Sequence, residues 1–387
     1  MADKPPDKEL LAELAAWRPP RGVISLYLRT DPDDPRQGWR TELRDGLKRL
    51  VEGGAGEGAD HRAALRASAE RITGRFPSGR HPGGRLQLGF VEVAEQPGRE
   101  IWRSLQFSTQ GTSLLHRERP YVRPLVELLD DGAPVGVIAV SAEHVRLLEW
   151  SLGIVEEIKE FSPSFMKRLW RERRGPRQRD IARGQVTTSA GKDQIDQRLE
   201  ANRERFLHQT GRKIRTFLDR RRWRLLLAFG DRSIIGDIAD GLGQRPELRV
   251  AGEENLMHAE RLQLADKIEE AVRLCNRERE RELVSQATDA ALAANGRGSL
   301  GVEETMRALE QGRVEHLVLA AERPVDVDPP AHPNQAGDGN VDPIGDAVIS
   351  ERMIEQALMT SAAVTTVVGE AAAELARHGG VGALLRY

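Results

Sequence analysis

The sequence predicts an α/β protein of three domains, on three observations. Short β-branched and apolar runs such as VISLYLRT and VGVIAVS alternate with stretches whose apolar residues recur at helical spacing. WRLLLAFGD, 223–231, is a near-continuous apolar run ending in Gly-Asp, the pattern of a central parallel strand that meets a loop at its carboxyl end. At 387 residues the chain exceeds what one hydrophobic core ordinarily serves. It is expected to divide into an N-terminal domain (1–130), a central domain (131–288) and a C-terminal domain (289–387).

The elements follow in order. A short amphipathic helix, Glu9 to Trp17, precedes a Pro-Pro-Arg-Gly turn and the strand Val23 to Thr30. The acidic turn DPDDP leads to a helix from Trp39; Asp31, Asp33 and Asp34 are read as turn residues rather than metal ligands. A second helix, HRAALRASAERITGRF, and two strands, LQLGFVEVA and IWRSLQF, complete the first domain. The central domain opens with a buried strand from Val135 to Ser141, followed in HVRLLEWSLGIVEEIKEF by a second strand pairing beside it, with Gly153 marking the next turn. After an arginine-rich loop (166–197), a helix from Gln197 places Leu199, Phe206, Ile214 and Phe217 inward. The strand at 223–231, the helix IIGDIADGL and the strand ELRVAG close a β-β-α-β-α-β unit. Gly230-Asp231 lacks the glycine-rich loop that a nucleotide site would need. A long charged helix, His258 to Thr288, leads out. From Gly296 to Tyr387 helices and strands alternate again, around a Pro, Gly and Asp-rich loop, and imply a three-layer α/β/α sandwich.

Composition narrows the function. Charged residues make up 30% and hydrophobic ones 39%, which excludes a disordered chain, and no apolar run is long enough to cross a bilayer. The N-terminus has no apolar signal region, so a soluble, cytoplasmic protein is expected. The single cysteine, Cys275, excludes an intrachain disulfide and a multi-cysteine zinc site, and the nine histidines show no metal-ligand spacing; no metal or cofactor is expected. Lysine and arginine total 58 against 60 acids, so any attraction to nucleic acid must come from local patches.

The strongest patch is the stretch 166–206, MKRLWRERRGPRQRDIARGQVTTSAGKDQIDQRLEANRERF. It is almost free of large apolar residues between Trp170 and Ile195, so it cannot contribute a core and is expected to be an exposed loop. Arg171, Arg173, Arg174, Arg177, Arg179, Arg183 and Arg198 are the groups that pair with phosphate. Gln178, Gln185 and Gln194 are amides that both donate and accept, and Gly175, Gly184 and Gly191 permit close backbone approach. RRRWR, 220–224, is a weaker basic cluster, either a second phosphate-contacting patch or, as is commoner just before a central strand, a helix C-terminus complementing its dipole.

These residues carry a resemblance. VEETMRALEQGRVEHLVLA with the terminal HGGVGALLRY resembles the third domain of archaeo-eukaryotic peptide release factors and Pelota, and VISLYLRTDPDDPRQGWRTELRDGLKRL the opening of their bacterial and archaeal relatives. The central domain is similar to their second domain, which is RNase H-like and bears a catalytic glutamine on a loop between strand and helix. Within it Arg173-Arg174, Gly175-Pro176-Arg177-Gln178, Arg179-Asp180-Ile181-Ala182-Arg183-Gly184 and Ser189-Ala190-Gly191 resemble the loop of the Vms-like release factor group. The resemblance implies a peptidyl-tRNA hydrolase that frees nascent chains from stalled ribosomes or large subunits. Its partners would be rRNA, peptidyl-tRNA and, on the third domain, a translational GTPase or ATPase; a monomer is expected. Gln178 matches the Gly-x-x-Gln of that loop, Gln185 follows Gly184 directly as in ordinary release factors, and Gln194 precedes Arg198 at their glutamine-to-arginine spacing. Gly-Gly-Gln itself is absent, with Pro176 and Arg177 in place of small residues. Two other activities stay open: cleavage of a phosphodiester near the tRNA 3′ end, and a non-catalytic, Pelota-like ribosome- or RNA-binding role.

Overall fold

The computed structural model describes residues 5–30, 37–53, 58–107, 111–141, 144–163, 189–221, 223–243, 247–254, 256–293, 296–321 and 343–387. These hold three sheets in an α/β arrangement and divide into two compact units, 1–133 with 273–387, and 134–272.

In the first unit, α1 (Lys8–Ala16) is capped by Asp7, whose carboxylate accepts the Leu10 N–H at 2.9 Å. The strands β1 (Val23–Arg29), β2 (Leu86–Glu92), β3 (Glu100–Leu105) and β4 (Ser113–Arg117) form an antiparallel sheet in the order β3-β2-β1-β4. β1 is central and buried on both faces. Ile24, Leu26 and Leu28 pack under Trp39, Leu43 and Leu47 of α2 (Gly38–Gly53) and Leu65 and Ile72 of α3 (Ala59–Arg75). On the other face the Tyr27 hydroxyl donates to the Tyr121 carbonyl at 2.6 Å, just before α4 (Arg123–Asp131). β4 carries no alternating pattern, and the sequence reading passed over it.

The C-terminal part of this unit has β10 (Gly298–Leu300), β11 (Val314–Ala320), β12 (Ala363–Val367) and β13 (Val381–Leu385), in the order β10-β13-β11-β12. α8 (Val302–Glu310), α9 (Pro343–Met359) and α10 (Gly369–Ala376) accompany them. α9 meets the N-terminal residues through charge: Glu351 pairs with Arg117, and Glu355 with Arg119 and Arg18. Arg123 is buried and donates to the Ser350 hydroxyl (3.1 Å) and the Ala320 carbonyl (2.7 Å). A second polar knot joins α4 to α7 (Arg261–Leu292) and the C-terminal sheet. Asp130 accepts from Arg279 (2.7 Å) and Thr365 (3.0 Å), whose hydroxyl also meets His316 Nε2 at 2.9 Å. Burial, then the charges of Asp130 and Glu280, push the Asp131 carboxyl up to about 7; burial lowers His316.

The second unit has one mixed sheet, in the order β7-β6-β5-β8-β9. β5 (Val135–Val140) pairs antiparallel with β6 (Val145–Ser151), which pairs antiparallel with β7 (Ile154–Phe161); β8 (Leu226–Phe229) and β9 (Leu248–Gly252) run parallel to β5. The expected parallel strand 223–231 is therefore β8, flanked on both sides. The unit has three strands before its first helix, one more than the β-β-α-β-α-β reading. That helix, α5 (Ser189–Arg221), begins eight residues before Gln197, and α6 (Arg232–Leu242) follows β8. Its fully buried residues are Leu207, Ile214 and Leu218; Phe206 and Phe217, expected inward, are half-buried flanks, and the Leu199 side chain lies outside the described residues. Among the described residues no helix is long and apolar enough to cross a membrane.

Candidate functional site: the strand-to-helix segment of the central sheet

The arginine and glutamine-rich segment leaves the sheet after its edge strand β7 and returns as α5. Gln178, Gln185, Arg171, Arg173, Arg174, Arg177, Arg179, Arg183, Gly175 and Gly184 all lie outside the described residues. Gly191 and Gln194 fall within the first two turns of α5, where the sequence reading expected loop. Arg198 is exposed, a little over one turn further on.

What the structure builds is the platform for that segment. α5 has 33 residues, and Leu207 is its first fully buried one. Eighteen residues at a rise of about 1.5 Å put roughly 27 Å of helix ahead of that anchor. Between them the described side chains are exposed or half-buried. The positive end of the helix dipole thus lies at Ser189, well ahead of the buried anchor.

The anchor is a close crossing of two helices. A Cβ on Gly211 would lie 2.2 Å from the Ile238 carbonyl oxygen, and one on Gly241 would lie 2.1 Å from the His208 oxygen. Only glycine at both positions lets α5 and α6 approach this nearly, and Leu207, Ile214 and Leu218 then interlock with Ile234, Ile235, Ile238 and Leu242. At the far end of α5, Arg221 donates to both carboxylate oxygens of Glu149 at 2.9 Å, and the Trp223 indole donates to Oε2 at 2.7 Å. The Trp223 ring lies over Gly136 of β5. Arg221 of the RRRWR cluster is thereby tied down within the fold, as a helix C-terminus rather than a free phosphate site.

Where β5 and β8 end, Val140, Ser141, Gly230, Asp231, Arg232, Ser233, Ile234 and Glu253 line a cleft of about 540 Å³. Asp231 Oδ1 accepts the N–H groups of Ser233 (2.8 Å) and Ile234 (3.3 Å), so the α6 terminus already holds a carboxylate. Asp231 is a helix cap, and an added phosphate would meet its negative charge. Among the described residues no group of three or more His, Cys, Asp or Glu could hold a metal ion; Asp31, Asp33 and Asp34 lie outside them.

The sequence reading took Arg220 only as part of the RRRWR cluster and did not single out Arg205, Arg212 and Lys213, which are exposed along α5 with Arg198 and Arg220. Their signal was a seven-residue spacing, passed over because the helix was read for its inward positions.

The chain is 28% identical over 127 residues to the kinesin-like protein klp-12 of Caenorhabditis elegans, covering 32% of this chain and 7% of that protein. It is 22% identical over 157 residues to the uncharacterized protein YocB of Bacillus subtilis, covering 40% of this chain and 58% of that one. The chain thus spans less than two thirds of either relative. Among solved structures, the archaeal translation termination factor aRF1 is 18% identical, with 98% of this chain and 96% of that chain covered and a TM-score of 0.25. Ribosome-bound archaeal Pelota, from a complex with ABCE1, is 11% identical over 100% and 95%, with a TM-score of 0.41. Dom34 of S. cerevisiae, described as a translation termination-like factor interacting with Hbs1, is 9% identical over 78% and 80%, with a TM-score of 0.39. The sequence match is narrower and specific: residues 120–273, which contain the whole five-stranded sheet, the segment 164–188 and α5, match the family described as Bacterial archaeo-eukaryotic release factor family 10, and over that stretch the chain is release-factor-like.

Proposed function

We propose that the chain is a peptidyl-tRNA hydrolase that frees nascent chains from stalled ribosomes or large subunits in the cytoplasm. The observation that carries this reading is the release-factor match over 120–273, which takes in the segment bearing Gln178 and Gln185. The sheet order β7-β6-β5-β8-β9, three antiparallel strands followed by two parallel ones, fits an RNase H-like central domain between N-terminal (1–130) and C-terminal (289–387) domains. The resemblance of Gly175-Pro176-Arg177-Gln178 to the Gly-x-x-Gln loop supports the Vms-like group as the nearest kind.

Ester hydrolysis asks little of the protein. Water adds to the ester carbonyl, the bond from the carbonyl carbon to the tRNA 3′ oxygen breaks, and that oxygen leaves with a proton. A loop held in an RNA cavity supplies a positioned N–H for the developing oxyanion and an amide that orients the water. Arg171, Arg173, Arg174, Arg177, Arg179, Arg183 and Arg198 neutralise phosphates as the loop enters. No cofactor takes part. A translational GTPase or ATPase is the partner proposed for the C-terminal domain.

Gln178 is the first choice for the amide. The test is peptide release from purified large subunits bearing peptidyl-tRNA, comparing the wild type with Gln178→Ala, Gln185→Ala and Gln194→Ala. Loss of release in the first alone is expected; loss only in the second or third moves the role to that residue. A non-catalytic, Pelota-like role is favoured by one observation, the absence of Gly-Gly-Gln, and release that survives replacement of all three glutamines would establish it. Cleavage near the tRNA 3′ end instead leaves a shortened RNA, which mapping of that end detects.

A further inference from the structure

The side chains of α5 divide by helical period. Leu207, Ile214 and Leu218 are buried against α6 and the sheet. At about 100° per residue, Arg198, Arg205, Arg212, Lys213 and Arg220 fall on the opposite side, and all five are exposed. Residues 198, 205 and 212 follow at seven-residue steps, roughly 10.5 Å each, and 213 and 220 repeat the step one residue out of phase. The row extends over about 33 Å.

None of the five makes an ion pair among the described residues. By contrast Arg203, off this face, pairs with Glu200 at 3.1 Å, and Arg221 with Glu149 at 2.9 Å. The intervening residues on the face are neutral: Ala201, Asn202, Gln209 and Thr216. Asp219 at its margin has a partner of its own. Helix stability does not account for such a row, because side chains support a helix through opposite charges three or four residues apart.

The face also limits what it fits. A protein partner needs apolar or aromatic anchors at the centre of its interface, and among the described side chains the exposed large apolar ones, such as Ile154, Val250 and Leu274, lie off α5. Single-stranded nucleic acid needs aromatic platforms, and Phe206 and Phe217 are packed against the core. A straight row of exposed cations with no ion pair among the described residues suits a phosphate backbone held in a regular helix. We infer that the outward face of α5 is a docking rail for the backbone of double-stranded RNA. The choice of RNA over DNA rests on the proposed ribosomal function; the rail itself does not.

The test is fluorescence anisotropy of the full chain with a labelled RNA duplex of about 16 base pairs, carrying no peptide, across a salt series. Replacing all five residues with glutamine is expected to weaken binding at least tenfold at physiological salt. The slope of log affinity against log salt should fall by about 4.5, near 0.9 for each of the lost phosphate contacts. Arg198→Gln and Arg220→Gln alone, which keep the fold should the fivefold variant lose it, should each lower the slope by about one. The Arg→Lys set should keep it. Removing five exposed charges elsewhere, at Lys8, Arg44, Lys48, Arg49 and Arg66, should leave slope and affinity unchanged. An unchanged slope in the α5 variants, or equal or tighter binding of a DNA duplex or polyglutamate, would overturn the inference. A wild-type chain that binds the duplex through α5 but releases no peptide from large subunits would instead count against the proposed function and leave the rail standing.

Discussion

Gly211→Ala sets two effects against each other at the crossing of α5 and α6. Glycine inside a helix costs about 1 kcal/mol relative to alanine, so propensity alone favours the substitution. The new methyl, however, would sit 2.2 Å from the Ile238 carbonyl oxygen and 2.9 Å from the Gly241 Cα. Both are backbone atoms of a hydrogen-bonded helix, so relief requires the helices to part by about 1 Å, the gap that forfeits a quarter to a half of the dispersion well. Leu207, Ile214 and Leu218 are the fully buried residues that α5 brings to this contact. At about 2 kcal/mol each they contribute roughly 6 kcal/mol, of which about 2–3 kcal/mol would go. The net expectation is a loss of about 1–2 kcal/mol, so sterics win over propensity. Gly241→Ala should behave alike, and the pair should cost less than the sum, since the second methyl enters a gap already opened. Native-state hydrogen exchange over 207–218 and 232–242 reads this directly, and protection in 1–133 should not change. Stabilisation by about 1 kcal/mol, the bare propensity term, would refute the close crossing and with it the anchored platform.

Two further predictions concern the first unit. Asp131 holds its proton up to about 7 when folded, against an ordinary value of 3.8 when unfolded, so the folded state binds more protons between those limits. Stability from this group is therefore full below about 4 and is lost as pH rises towards 7. Asp131→Asn should remove that loss and gain up to about 4 kcal/mol at pH 8, less where water reaches the group. The difference between wild-type and variant urea midpoints across pH 4–8 also separates it from His316, whose depressed titration acts in the opposite direction; a flat difference would show that Asp131 is ionised throughout. Arg123→Ala strips donors from the Ala320 carbonyl and the Ser350 hydroxyl and should cost about 2–4 kcal/mol. Calorimetry should show the lower Tm, and a change within about 0.5 kcal/mol would mean that water replaces the guanidinium.

Local pattern and long-range pairing were unequally legible in the sequence. β1 and β8 are visible as apolar runs, and the charged helix leading out of the central domain is visible from its period. β10, with three residues, is too short to show any period. The start of α5 was misplaced because Gly191 and the polar residues around it read as loop, whereas the helix tolerates one glycine in its first turns. The union of the N-terminal and C-terminal parts in one unit depends on Arg117 with Glu351 and Arg123 with Ser350, partners more than two hundred residues apart that no local signal marks. The cationic row on α5 was present as a seven-residue spacing and was hidden by a net charge of −2. For Gln178 and Gln185 the sequence remains the whole of the argument.

The central claim is that a loop amide directs water onto an RNA-linked ester. Release carried out in ¹⁸O-labelled water, on large subunits holding peptidyl-tRNA, tests it most directly. The account predicts one labelled oxygen in the peptide carboxylate, a tRNA of undiminished length, and no reaction once Gln178, Gln185 and Gln194 are all alanine. An unlabelled peptide end still joined to nucleotide, a shortened tRNA, or undiminished release by the triple variant would contradict it.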